Sequence, residues 1–240
     1  MFETMRAKDG RVPLLSRHLG RLREAAAALR IPCPELAWEK AVAELLGRQG
    51  LGSGLARVKI VLTRGVLAEV PSPTLLITAF AYAPPPPAEF AQGWKAVLYP
   101  VPRLLSHARW KTTSYLSSLQ ADEYARERGA EEALFAGPDG VIQEGSRTSV
   151  FLLERGAAPV LVVPPPEFRL RSVAEGWIRE WWRGQGGRVE VRPFTAEALF
   201  RAEGAFLCNA LMGVMPVAGL DGRELSRAPE MAERIRQALG

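Results

Sequence analysis

The stretch His107-Ala108-Arg109-Trp110-Lys111-Thr112-Thr113-Ser114-Tyr115-Leu116 decides how this chain is read. Its end opens an amphipathic helix, with Tyr115, Leu116, Leu119 and Tyr124 recurring at roughly helical spacing. The chain holds only five lysines against twenty-six arginines, so each lysine can be weighed in turn. Lys8 belongs to a Lys-Asp-Gly turn, Lys40 to the polar face of a helix, Lys59 to a polar slot of an alternating strand, and Lys95 begins another strand. Only Lys111 stands where a strand-like segment passes into a helix, beside the Trp110 ring, which can partly desolvate it. Desolvation lowers an amine's pKa and makes it nucleophilic, as a Schiff-base lysine requires. On position alone a solvated, idle lysine is the commoner outcome, and the surrounding chain has to decide.

At 240 residues, 48% hydrophobic and 24% charged, the chain has the size and composition of a globular protein with a substantial core. It has no apolar run of membrane-spanning length, and its start does not read as a signal peptide, so a cytoplasmic location is expected. Cys33 and Cys208 lie far apart and read as reduced thiols; with two histidines and no close ligand cluster, no metal is expected. The net charge of +5 suits a small anionic substrate. Its arginines are scattered among acidic residues with no aromatic-basic module, which argues against nucleic acid.

Outward from Lys111, Phe2 to Arg6 alternates like a strand, turns at Lys8-Asp9-Gly10, and resumes over residues 11–15 as a hairpin. Ser16 then caps a helix with Leu19, Leu22, Ala26 and Leu29 as its buried stripe, bracketed by Arg21 and Arg23. A second helix covers Leu36 to Arg48, and strands follow over Arg57 to Thr63 and Thr74 to Tyr82, with Arg64-Gly65 at the tip of the first. Pro84 to Pro87 reads as a stiff spacer, which sets a boundary between domains 1–85 and 86–240. The second domain carries strands from Trp94 to Val101, around Gly137-Pro138-Asp139-Gly140, over Val150 to Leu153 and up to Val163. A helix from about Ser172 places Trp177, Ile178, Trp181 and Trp182 on a core-packed face. Arg188 to Phe194, Ala205 to Asn209 and Val214 to Leu220 read as strands, Thr195 caps a short helix, and a helix from Ala228 to Leu239 closes the chain. Strands and helices mix without strict alternation, so the fold class is α/β of the mixed α+β kind, not doubly wound.

Several of these stretches together resemble the fold-type IV pyridoxal-phosphate enzymes, the class IV aminotransferase family. They are Phe2-Glu3-Thr4-Met5-Arg6, His18-Leu19-Gly20-Arg21-Leu22, Lys111, Asp139 to Gly145, and Phe206 to Val217. The resemblance implies a two-domain fold like that of D-amino-acid aminotransferase, with an abbreviated small domain, and a homodimer. It implies pyridoxal 5'-phosphate as cofactor, held by Lys111 as a Schiff base. Glu144 would face the pyridine nitrogen, and Arg21 with the helix start Ser172-Val173-Ala174 would bind the phosphate. Asn209 and Ala210 would face substrate or phosphate, and Tyr115 would hydrogen-bond near the cofactor.

The segment Asn209-Ala210-Leu211-Met212 before Pro216-Val217 is similar to the lyase branch, where aminotransferases carry a Gly-Thr-type pair. The resemblance therefore implies a 4-amino-4-deoxychorismate lyase forming 4-aminobenzoate and pyruvate, with Arg64 or Arg109 meeting substrate carboxylates. The alternatives are a D-amino-acid or branched-chain aminotransferase of the same family, or a basic nucleic-acid-binding domain without catalysis. Three departures stand out: the strands that usually precede Phe-Glu-Thr, Ser149 in place of the usual Asn, and Ser172-Val173-Ala174-Glu175 in place of Gly-Ile/Val-Thr-Arg. The last implies weaker cofactor binding.

Overall fold

The computed structural model describes residues 1–66, 72–103, 107–156 and 159–239. The chain divides into two compact units, one of Met1–Pro84 with Trp110–Thr113, the other of Pro85–Arg109 with Ser114–Gly240. The short Lys111 segment thus groups with the first unit, whereas the sequence reading assigns it to the second domain.

The first unit contains β1 (Phe2–Lys8), α1 (Leu15–Ala28), α2 (Trp38–Arg48), β2 (Leu55–Leu62) and β3 (Leu75–Ala81), with strand order β1-β2-β3. Both pairings are antiparallel, from Phe2↔Val61 to Lys8↔Leu55 and from Ala56↔Ala81 to Leu62↔Leu75. Successive strand residues face opposite ways. Met5 and Ala7 of β1 with Ala56, Val58, Ile60 and Leu62 of β2 therefore join Leu19 and Leu22 of α1 and Val42 and Leu46 of α2 in one core. Burying each such large aliphatic side chain stabilises the fold by about 1.5–3 kcal/mol.

The expected hairpin partner over residues 11–15 does not form. Only a single Lys8↔Arg11 bridge follows the turn, and β1 pairs instead with β2 along its whole length. Pro13 has no amide hydrogen to offer a second strand. Helix α1 starts one residue before Ser16, after Leu14, with no side-chain cap, and its last expected stripe residue, Leu29, is exposed.

The second unit runs α3 (Pro87–Gln92), β4 (Trp94–Leu98), α4 (Leu116–Glu127), β5 (Glu132–Ala136), β6 (Ile142–Gly145), β7 (Ser149–Glu154) and β8 (Val160–Val163). It continues with α5 (Val173–Gly184), β9 (Arg188–Val191), α6 (Ala196–Arg201), β10 (Gly204–Asn209), β11 (Gly213–Leu220), β12 (Arg223–Glu224) and α7 (Pro229–Leu239). One sheet has the order β6-β5-β4-β11-β10-β7-β8-β9, with β12 on β11. The pairs β4/β11, β4/β5 and β8/β9 are parallel, and β5/β6, β7/β8, β7/β10, β10/β11 and β11/β12 antiparallel. This is the mixed sheet that the irregular alternation of elements implied.

Both faces of this sheet are covered. Val150 and Leu152 pack into one core with Leu207 and Met215, while Phe151 and Leu153 pack into another with Ile178 and Trp182. A strand buried on both sides reads as an unbroken apolar run, which is why residues 150–153 show no alternation.

Helix α4 corrects the reading of its sequence. Its buried positions are Ser118, Ala121, Asp122 and Ala125, while Leu116 and Leu119 are 69% and 58% exposed. The alanines pack with Ala133 and Phe135 of β5, and Asp122 is neutralised by Arg126 and by Arg147, whose Nη1 lies at 2.5 Å. Close packing on the sheet selects small side chains there, and an ion pair satisfies the one carboxylate.

Candidate active site

Lys111 lies in irregular chain ahead of α4, and in the first unit it is seated by the start of β1. The Phe2 amide donates to the Lys111 carbonyl at 2.9 Å, and the Lys111 ammonium lies 4.6 Å from the Phe2 ring centroid. Lys59 Nζ lies 4.9 Å from the same centroid, so two ammonium groups meet one ring. Trp110, the aromatic neighbour that the sequence offered for Lys111, packs against the core of α1 and α2.

The next residue along β1 points the other way. Glu3 is 1% exposed on the inward face, between Met1 and Met5. Arg21 of α1 forks onto it, Nε donating to Oε1 at 2.8 Å and Nη2 to Oε2 at 2.6 Å, and His18 Nδ1 meets Oε2 at 2.7 Å. Burial pushes the Glu3 carboxyl up, but the Arg21 guanidinium and His18 outweigh it and leave Glu3 below the ordinary range. Burial pushes the His18 ring down by more than Glu3 raises it, and the charges of Arg21 and Lys111 add to the lowering. Arg64 is exposed just beyond β2.

In the second unit, Glu144 of β6 is buried. Its Oε1 pairs with Arg103 Nη1 at 2.7 Å, and its Oε2 accepts the Leu170 amide at 3.0 Å. That amide lies two residues before Ser172, the N-cap of α5, whose hydroxyl accepts the Glu175 amide at 3.3 Å. Glu144 and the helix start of Ser172, Val173 and Ala174 are therefore tied together.

Arg169 shapes the approach to this helix. It is 2% exposed, donates to Glu175 at 2.5 and 2.9 Å, and also donates to the Pro164 and Pro165 carbonyls. The first-turn carboxylate of Glu175 thus has its charge offset by a buried guanidinium.

Strand β10 brings Cys208 against Ser172, with burial pushing the thiol far up. Asn209 and Ala210 follow, partly exposed. The Asn209 Oδ1 accepts the Leu211 and Met212 amides at 3.0 and 2.8 Å and so closes the turn into β11. The Tyr115 hydroxyl donates to the Ser146 carbonyl at 3.2 Å, and burial followed by the charges of Glu132 and Glu144 pushes its pKa up. Ser146 and Thr148 in turn hold the buried Glu132 carboxylate at 2.5 and 2.8 Å. Arg109 is exposed in a turn.

Thus Lys111, Phe2, His18 and Arg21 belong to one unit, and Glu144, Ser172–Ala174, Asn209, Ala210 and Tyr115 to the other. Reading the sequence picked out Glu3 and His18 only as parts of motifs, without a role, and missed Arg103 and Arg169. A signal existed for Glu3, a carboxylate in an inward slot of an alternating strand, which has to be paired. None existed for Arg103 or Arg169, two among many arginines.

The family model for amino-transferase class IV matches residues 1–220. A bifunctional aminodeoxychorismate lyase / D-amino acid transaminase of Mycobacterium tuberculosis is 29% identical over 251 residues, 95% of this chain and 84% of that protein. A branched-chain-amino-acid aminotransferase of Salmonella typhimurium is 26% identical over 257 residues, 100% of this chain and 82% of that protein. Among solved structures, the PLP-bound form of a hypothetical aminotransferase from Mycobacterium tuberculosis superposes with a TM-score of 0.88 at 26% identity, covering 100% of this chain and 88% of that one. With this fold, and a family match over residues 1–220 that leaves out only β12, α7 and the loops beside them, the chain belongs to the class IV aminotransferase family.

Proposed function

We propose that this chain is a 4-amino-4-deoxychorismate lyase, releasing pyruvate to leave 4-aminobenzoate. The observation that carries the reading is the Asn209 turn. Its side-chain oxygen accepts two successive amides and so shapes the Asn209–Met212 segment, the stretch whose sequence resembles the lyase branch. The lyase name of the 29%-identical mycobacterial relative supports it.

The cofactor is pyridoxal 5'-phosphate, and the residues present suit it. A primary amine, a forked guanidinium, a capped helix start and a buried carboxylate match its aldehyde, phosphate and pyridine nitrogen. Lys111 would anchor it, Arg21 and the Ser172–Ala174 amides would bind the phosphate, Glu144 would meet the pyridine nitrogen, and Tyr115 and Ala210 would border it. When bound, this group supplies a ring that takes up the electron pair left when a bond to the amine-bearing carbon breaks.

The Lys111 amine would remove the proton from the amine-bearing ring carbon of the substrate. The neighbouring carbon–oxygen bond then breaks, the enolpyruvyl group leaves, and the ring becomes aromatic. The proton held on Lys111 passes to the methylene carbon of the departing enol, giving pyruvate. Asn209 borders the substrate, and Arg64 or Arg109 meets its carboxylates.

D-amino-acid transfer is the second reading, favoured by the other half of the mycobacterial relative's name. We further propose a homodimer, for which the exposed Leu116 and Leu119 of α4 offer apolar surface; sedimentation velocity reads it. The functional test supplies holoenzyme with 4-amino-4-deoxychorismate, and separately with D-alanine and 2-oxoglutarate. Release of 4-aminobenzoate with equimolar pyruvate is the expected result, and amino transfer without any 4-aminobenzoate would overturn the lyase reading.

A further inference from the structure

We infer that Glu3 is a positioning residue for cofactor phosphate, acting through Arg21 and itself held in place by His18. The inference rests on the reading above that Arg21 meets that phosphate. Glu3 occupies an inward slot of β1 that its neighbours fill with apolar side chains, Met1 and Met5. A carboxylate in such a slot is unfavourable unless paired, so the fold keeps its partners close.

Arg21 meets it along one edge of the guanidinium, through Nε and Nη2. Two parallel hydrogen bonds fix both the plane and the rotation of a planar fork, which a single bond does not. The Nη1 edge is thereby aimed away from Glu3 before any ligand arrives. His18 adds a third constraint, since its Nδ1 at 2.7 Å from Oε2 stops the carboxylate from turning about its own axis. The His18 ring is itself buried in α1, one helical turn before Arg21, so β1 and α1 fix the pair from both sides.

There is an opposing effect, because a carboxylate beside the guanidinium subtracts from the charge that Arg21 offers an anion. Orientation and charge therefore predict opposite signs. If orientation governs, removing the Glu3 charge loosens the fork and weakens phosphate binding. If charge governs, removing it strengthens phosphate binding.

The experiment compares pyridoxal 5'-phosphate with unphosphorylated pyridoxal. Apoenzyme is prepared from holoenzyme of the wild type and of Glu3→Gln, and dissociation constants come from tryptophan fluorescence quenching. Glutamine keeps the size but turns one acceptor of the fork into a donor. The expected result is weaker binding of the phosphate ester by about 10- to 100-fold, the range that outer partners of metal ligands command, with pyridoxal binding unchanged. Equal loss for both ligands, no loss for either, or tighter binding of the ester would each overturn the inference.

If Glu3→Gln does not fold, Glu3→Asp carries the same comparison, because it keeps the charge and withdraws it by one methylene. Borohydride reduction and peptide mapping of the wild type run alongside. A pyridoxyl group away from Lys111 overturns the functional reading, whereas the ester-against-pyridoxal comparison addresses Glu3.

Discussion

Phe2 holds Lys111 twice, by an amide donated to its carbonyl at 2.9 Å and by a ring 4.6 Å from its ammonium. The adjacent Glu3 turns to the opposite face and grips Arg21. The pleat of a strand sends neighbours to opposite sides. Two consecutive residues at the start of β1 therefore seat the two basic groups, Lys111 and Arg21, that we propose for the two ends of the cofactor.

Phe2→Leu separates the two holds, since it leaves the backbone hydrogen bond and removes the ring. A cation–π contact of this kind is worth about 0.5–2 kcal/mol. If it helps to place the amine for proton removal, kcat for 4-aminobenzoate formation falls by about 2- to 30-fold. Thermal denaturation should shift little, because Phe2 is only partly buried. Unchanged kcat would show that the backbone hydrogen bond suffices.

Lys111→Ala removes the amine itself. Borohydride-fixable cofactor should vanish from the peptide that spans residues 107–116, and lyase turnover should fall by at least about 10²–10⁴-fold, the usual share of a general acid–base group. The sheet and helices should persist by circular dichroism, because the side chain is only partly buried and the segment is irregular. A fixed pyridoxyl group in this variant would point to another lysine, Lys59 being the one that shares the Phe2 ring.

How far the sequence could be read follows from which forces are local. The inward-outward alternation of β2 and the apolar run of β7 are written in consecutive residues, and both strands form where that pattern lies. The face of α4 was misread because periodicity records where leucines fall, not what they meet. A closely packed sheet face buries the small Ser118, Ala121 and Ala125, with Asp122 admitted by its ion pairs, and turns Leu116 and Leu119 outward. The hairpin failed for a related reason. A strand takes the partner that satisfies all its amides, and β2 offers β1 seven paired residues where the chain after Gly10 offers one bridge. At the site, residues with a chemical motif stood out, Lys111 above all. The arginines that pair with Glu144 and Glu175 did not, because partnership between residues 41 and 6 positions apart leaves no mark in composition.

The ion pair of Arg169 and Glu175 gives a stability test. Both side chains are nearly fully buried, and the guanidinium also donates to two proline carbonyls. Glu175→Gln leaves a buried positive charge without its counterion and should destabilise by about 3–5 kcal/mol. The double variant Arg169→Met/Glu175→Leu removes both charges and should recover much of the loss. Urea denaturation of the three proteins measures the difference. A double variant as weak as the single one would mean that the proline carbonyls, not the charge pair, hold this loop.

Gly145 lies where β6 turns toward Ser149, and a Cβ there would come within 2.9 Å of Glu132 Cδ and clash with Thr148 Oγ1. Neither neighbour can retreat readily, since Thr148 donates to the Glu132 carboxylate and that carboxylate also accepts the Ala133 and Ser146 amides. Gly145→Ala should therefore destabilise by about 1–3 kcal/mol, as overpacking of a filled core does. The same substitution at Gly176, where nothing lies within 4 Å, provides the control and should be tolerated. Equal urea midpoints for the two variants would contradict the packing argument.

Acid should weaken the first unit through His18. Burial holds its ring below the ordinary 6.5, so in the folded chain the ring stays neutral at a pH where the unfolded chain has already taken up a proton. The unfolded state then binds more protons, and stability falls as pH drops from about 6.5 through the folded value. Glu3, held below the ordinary 4.5 once Arg21 and His18 outweigh its burial, extends the loss at lower pH. Burial pushes Glu132 the other way, above 4.5, so its contribution rises as pH falls and partly masks the trend. The test is therefore a difference: urea midpoints from pH 7.5 to pH 5 for the wild type and for His18→Asn, which keeps a donor for Glu3 but cannot titrate. Glu132 acts alike in both and cancels. The wild type should lose stability relative to His18→Asn as pH falls through this window, and parallel curves would mean that His18 carries no part of the acid response.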